Sequence, residues 1–295
     1  MKSSFLISAI LSSVIATATS ANADSLFNFS GGNPTDAMAS ASRPDVSGSF
    51  EIESADDFVL TGGQTSINSA SFTGLVVPGT GGTPSVSQVT VEIYRVFPLD
   101  STLPPSGHVP TRNNSPSDVA FDSRDSAAGS LNFTTAALAA TFTALNSVQA
   151  GGIHPAPGQT TGGNGSITGQ EVQFNVTFNT PFNLPADHYF FVPQVSLTDG
   201  GQFYWLSAAR PIVSPGTPFP AGFTDLQSWT RDANLDPDWL RIGMDIVGGT
   251  TPPAFNAAFS LDGVETPLPA ALPLFATGLG ALGLLSCRRK RKQAA

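Results

Sequence analysis

The chain has 295 residues, with 22 acidic against 13 basic side chains, three histidines, one cysteine and a formal net charge of −9. Lys2 and the run Arg288 to Lys292 account for six of the 13 cations, which leaves the body with seven arginines, no lysine and, against 22 acids, a net charge of −15. Such a body repels nucleic acid and anionic lipid, and because the one cysteine is Cys287 it has no disulfide, so a core or a bound metal must hold it.

Met1-Lys2 and an apolar run from Phe5 to about Ala16 lead to Ala21-Asn22-Ala23, an A-x-A cleavage pattern. Residues 1–23 therefore read as a signal peptide, with a mature chain expected to begin at Asp24. Beyond it, strands are expected at Phe50–Ile52, Phe58–Leu60 and Ile67–Val77. Val89, Val91 and Ile93 alternate with Thr90 and Glu92, and Val172, Phe174, Val176 and Phe178 alternate with Gln173, Asn175 and Thr177. Leu240, Ile242, Met244 and Ile246 form a third such face, opposite Arg241 and Asp245. Each pattern puts its apolar residues on one side at period two. Further strands are expected at Tyr189–Leu197, Phe203–Leu206 and Phe255–Leu261, with turn signals such as Gly62-Gly63, Pro78-Gly79, Asp199-Gly200 and Pro215-Gly216 between strands. Asp100–Gly129 and the glycine-rich Gly151–Gly169 read as long loops, and the alanine-rich Ala136–Leu145 suits either a pair of helical turns or a strand edge. Many short strands, each with one wet face, predict one all-β domain over residues 24–262: an antiparallel β-sandwich, jelly-roll-like.

Three groups in this body could carry chemistry. Asp232-Ala-Asn234-Leu-Asp236-Pro-Asp238 has an oxygen-bearing side chain at every second position, a spacing that can converge on one hard cation such as calcium, as at the start of an EF-hand loop. Pro237 stands where that loop has its turning Gly and Gly243 where it has a bidentate Glu, so a plain Asp/Asn/Pro turn is the competing reading. Glu51 and Glu53 share a strand face about 7 Å apart, within reach of acid–base work on a glycosidic bond, and with Asp56-Asp57 they resemble the E-x-D-x-x-E strand of jelly-roll β-glucanases. The middle residue is Glu and the last is Asp56, and a solvated strand face explains the same pattern. Tyr204, Trp205, Trp229 and Trp239 either offer sugar rings a flat platform or close the core. His108, His154 and His188 form no readable constellation, and no Gly-x-Ser-x-Gly elbow or phosphate-binding glycine loop precedes a helix. The expectation is that the body is not an enzyme.

At the C-terminus, Val264-Glu-Thr-Pro267-Leu268-Pro269-Ala270 leads into a stretch without charge, Leu268 to Cys287, which as a helix would cover the ~30 Å hydrocarbon core of a bilayer. Gly278, Gly280 and Gly283 supply small-residue faces, and Arg288, Arg289, Lys290, Arg291 and Lys292 would stay on the cytoplasmic side. The order of motif, apolar span and basic cluster resembles the PEP-CTERM sorting signals of secreted bacterial proteins, in the variant with a Val-Pro-Leu-Pro-Ala motif. Thr266 stands directly before Pro267, where that motif has its Val, and Val264 lies two positions earlier. The resemblance implies recognition by an exosortase, a membrane protease-transpeptidase that removes the tail during export. Residues 263–295 would then be a sorting signal that touches the membrane transiently, with a plain membrane anchor as the alternative. The function expected is that of an exported cell-surface or extracellular-matrix protein with a structural or interaction role; the alternatives are a carbohydrate-binding module for extracellular polysaccharide and a secreted glycan hydrolase.

Overall fold

Alternating β-branched and aromatic runs, cut by Gly and Pro, give an all-β chain. The computed structural model describes residues 25–46, 48–80, 85–107, 109, 112–154, 160–209 and 226–266. Signal residues 1–23, Pro267 to Ala270, the expected membrane span, Arg288 to Lys292 and His108 lie outside the described residues. Among the described residues no helix is long and apolar enough to cross a membrane. Ser25–Thr266 form one compact unit.

Its strands are β1 (Ser25–Ser30), β2 (Pro34–Ala41), β3 (Ile52–Val59), β4 (Gln64–Val77), β5 (Val86–Arg95), β6 (Asp122–Asp125), β7 (Leu131–Ala144), β8 (Ser147–Val148), β9 (Ile167–Pro185), β10 (His188–Leu197), β11 (Gln202–Ala208), β12 (Trp229–Asp232), β13 (Leu240–Arg241) and β14 (Phe259–Thr266). The first sheet is built around β4. One edge of β4 pairs with β9, and β7 continues beyond it; the other edge pairs with β14 along Gln64–Phe72 and with β11 along Gly74–Val77. β1 extends the sheet beyond β14, and β2 beyond β11, with β8 parallel to β2. The second sheet runs β13-β12-β3-β10-β5-β6, antiparallel throughout.

Aromatic side chains from the two sheets fill the space between them. Phe72, Phe174, Phe203, Trp205 and Phe259 of the first sheet meet Phe58, Tyr189 and Phe191 of the second, with Val89, Val91 and Ile93 alongside. Phe191 stacks on Phe259 with ring centres 5.0 Å apart, and Phe72 on Phe174 at 4.9 Å. Each such ring is worth about 1.5–3 kcal/mol on burial, and with no disulfide the fold rests on this core.

The alternating runs at Val89–Ile93 and Val172–Phe178 lie in β5 and β9 as expected. Three expectations need correction. The run from Leu240 is a strand for two residues only; Ile242–Val247 then form a single π-helical turn that leaves Met244 46% exposed while Ile242 and Ile246 are buried. Gly243 permits this, because a Cβ there would sit 1.8 Å from the Pro253 carbonyl, and Gly248, at φ 67°, closes the turn by donating its N–H to the Gly243 carbonyl. Of the two readings of Ala136–Leu145 the strand edge holds: up to Ala144 it is part of the 14-residue strand β7, where small residues and threonine pair well with β9. β14 stays paired through Thr266, past the boundary expected at residue 262. Finally, the outer face of the second sheet is not wet. All ten residues of β10 are buried, because the described residues of the connection from Val96 to Phe121 and the segment from Leu226 to Leu240 cover that face, forming a separate core of Ala55, Tyr94, Val96, Phe190, Val192, Leu226, Trp229 and Trp239.

Candidate functional site

The covered face carries the charged centre of the molecule. β12 places Arg231 directly opposite Glu53 of β3, and β5 brings Glu92 and Tyr94 from the other side of β10. The Tyr94 hydroxyl donates to Glu53 Oε1 at 2.6 Å and is 3.1 Å from Glu92 Oε2. Glu51, one residue before β3, accepts a bond from Gln194 of β10 at 2.8 Å. Arg231 ties the group together: its Nε bonds Glu53 Oε2, one terminal nitrogen donates to the Tyr94 oxygen at 2.9 Å, and the other reaches Asp236 Oδ1 at 2.9 Å and the Asp118 carbonyl at 3.1 Å. The guanidinium lies 4.4 Å from the Trp239 ring centre and 5.2 Å from that of Tyr94, where a desolvated cation is attracted by the ring quadrupole.

One carboxylate oxygen from each of Glu51, Glu53 and Glu92 lies within 4.8 Å of the other two. Burial, with the neighbouring charges of Glu53 and Glu51, pushes the Glu92 carboxyl up to about 8, and burial with the charge on Glu53 raises Glu51. Burial and the charge on Glu53 hold the Tyr94 phenol far above its ordinary range. Burial alone would lower Arg231, but the attraction of Glu53 outweighs it and keeps the cation charged. Near neutral pH, Glu92 thus holds a proton that shields one carboxylate from the next. A divalent cation could do the same work, since the triad brings three oxygens within 4.8 Å of one another.

The other expected sites are placed differently. Asp232, Asn234, Asp236 and Asp238 are engaged in separate places. Asp232 caps its own turn, accepting from the backbone N–H of Asn234 and Leu235 at 3.0 Å each, and Asn234 Nδ2 reaches back to it at 3.4 Å. Asp236 pairs with Arg231. Asp238 is fully buried, lies 3.1 Å from Arg112 Nε and accepts from the Ser106 N–H and hydroxyl. Among the described residues these four do not make a cluster of converging carboxylates, whereas the glutamates do. The four aromatics are core: Tyr204, Trp205, Trp229 and Trp239 are 5, 2, 0 and 0% exposed, and the three indole N–H groups donate to the carbonyls of Ala258, Leu226 and Ser117. Sugar rings need an open aromatic face, and none of the four offers one.

Asp56 does not join Glu51 and Glu53, because three residues along a strand its side chain points to the opposite face; there Ser228 and the Ala257 N–H bond it. His188 Nε2 lies 2.6 Å from Asp57 Oδ2, His154 is buried with neither ring nitrogen bonded, and Asp187 accepts from Arg95 and from the backbone N–H of His188 rather than from its ring. Val264, the described residue of the expected sorting motif, pairs with Leu26 and Ser66 inside β14. Glu92, Tyr94 and Arg231 are site residues that the sequence reading did not single out, because the partners that bring them together lie far away in the chain. Compared with known protein families, curated sequences and solved structures, the chain matches none.

Proposed function

We propose that this is an exported cell-surface or extracellular-matrix protein with a structural or interaction role and no catalytic activity: an antiparallel, jelly-roll-like β-sandwich that an exosortase releases from a transient membrane-spanning tail. The observation that carries the non-catalytic reading is the spending of reactive groups on one another. Glu53 gives both oxygens to Tyr94 and Arg231, and Arg231 gives every nitrogen to partners beneath a covering loop, an arrangement that builds rigidity rather than a site for proton transfer to substrate. The finer role of the triad is to bind calcium, with Glu51, Glu53 and Glu92 as ligands, in a body that has no disulfide to stiffen it.

The sorting reading is supported by the Pro267-Leu268-Pro269-Ala270 motif, the apolar span and the basic run taken together. Intact-mass analysis of the extracellular protein tests it: the expected form begins near Asp24 and ends near Ala270. Recovery of released protein still carrying Arg288–Lys292 would sink it. Incubation with the host's own extracellular polysaccharide tests the non-catalytic role. Chains shortened in a Glu51- or Glu53-dependent way would overturn it, while retention without shortening would turn the reading toward a carbohydrate-binding module that uses a surface other than the four buried aromatics.

A further inference from the structure

The strand β7 is bonded on one side only. It pairs with β9, and among the described residues no second strand pairs with it; only past its end does Leu145 donate its N–H to the Asp36 carbonyl of β2. Thr134 to Leu138, Ala140, Thr141 and Thr143 are exposed. Free edges are usually kept apart by being short or by carrying lysine, proline or an inward charge. β7 has 14 residues, no proline and no charge. The neutrality reaches further, since no Asp, Glu, Lys or Arg occurs from Ser126 to Gln170 in a body otherwise at −15. Two copies therefore repel each other over most of their surface and least at this edge.

The sequence of the edge is also self-complementary. Thr135-Ala136-Ala137-Leu138-Ala139-Ala140-Thr141 reads the same in both directions about Leu138. A two-fold axis demands that one patch match itself. Two β7 strands laid antiparallel with the axis at Leu138 set Thr135 against Thr141, Ala136 against Ala140, Ala137 against Ala139 and Leu138 against itself. Threonine pairs of this kind are favourable cross-strand neighbours, and the alanines let the backbones approach. Over this stretch β7 is loosely committed to its own sheet: the register with β9 slips between Ala137 and Ala139 and again between Ala139 and Phe142, no β9 residue stands opposite Leu138, Ala140 or Thr141, and the Leu138 side chain is 51% exposed.

We infer that β7 is a self-association edge, through which a second copy of this chain adds antiparallel across a two-fold axis at Leu138 and joins the two β9–β7 ribbons into one continuous sheet. The inference does not depend on tail cleavage or on calcium. Disulfide mapping on the full chain tests it, in neutral detergent with Cys287→Ser as background. Residues facing each other across the axis have Cα atoms close enough for a disulfide, whereas Ala136 of one copy would stand about 13 Å from Ala136 of the other. Under mild oxidation Leu138→Cys should give a covalent dimer, and Ala136→Cys mixed with Ala140→Cys should give a heterodimer that neither gives alone. Adding Leu138→Lys to both members of that mixture, which sets two like charges on the axis, should abolish the cross-link while circular dichroism stays unchanged. Leu138→Cys chains that stay monomeric, Ala136→Cys that cross-links to itself as well as to Ala140→Cys, or a heterodimer that survives Leu138→Lys would each overturn the inference.

Discussion

At the scale of single residues, Glu92 is where the physical chemistry is most exposed to test. Folded, it keeps its proton to about pH 8; unfolded, it releases it near the ordinary 4.5. Between those values the native chain binds more protons than the unfolded one, so this group's contribution to stability is full below about pH 4.5 and is lost as pH rises toward 8. Glu92→Gln, which keeps the protonated shape, should flatten that part of the stability–pH curve measured by urea unfolding. Calcium held by the triad would compete with the same proton, so it should raise the melting temperature more at pH 8 than at pH 5, and the variant should lose most of the response. Melting curves that superimpose with calcium and with chelator at pH 8 would remove the triad as a metal centre. Arg231 makes the opposite kind of prediction. Arg231→Met strands Glu53 beneath the loop without its counter-charge and should cost about 3–5 kcal/mol, with Glu53→Gln in the same chain recovering much of it. A cost under about 1 kcal/mol would mean that the network is ornamental.

The elements show what the sequence could and could not reveal. The period-two runs of β5 and β9 were legible because alternation is local, and an alternating run needs only one buried face to be read. Glu51 and Glu53 were legible as a pair for the same reason. Glu92 was not, since β10 lies between β3 and β5 and no local pattern announces which strand will come second in a sheet. The Asp232–Asp238 spacing misled because a turn and a cation loop use the same oxygens. What separates them here is two arginines: Arg231, directly before the run, takes Asp236, and Arg112, from the connection after β5, takes Asp238. Met244 misled in a similar way, its apolar alternation being real but bent out of the sheet at Gly243. Gly243→Ala should therefore cost about 1–3 kcal/mol, since the new methyl meets the backbone of Pro253 rather than a movable side chain. Trp239, which carries Arg231 on its face and donates to Ser117, holds the long connection down. Trp239→Ala should cost about 3–5 kcal/mol in denaturant unfolding, and hydrogen exchange should show the backbone of the Val96–Phe121 connection opening first.

At the scale of the molecule, the absence of cysteine from the body makes a plain prediction: reductant should leave the melting temperature unchanged, because the aromatic layer between the sheets carries the stability that small exported domains often take from cross-links. That layer also bears on how the body responds to force. Ser25 stands opposite Glu265, so the folded unit begins and ends at the same place on one edge. Tension applied between those two ends would not shear the sheet along its length, loading many hydrogen bonds together. It would open the Ser25–Glu265 pair, then Leu26–Val264, then Phe27–Gly263, peeling β1 away one rung at a time while β14 stays fastened to β4 on its other side. The body is thus mechanically soft along the line joining its ends, and it yields from β1 inward while the rest of the sheet stays bonded.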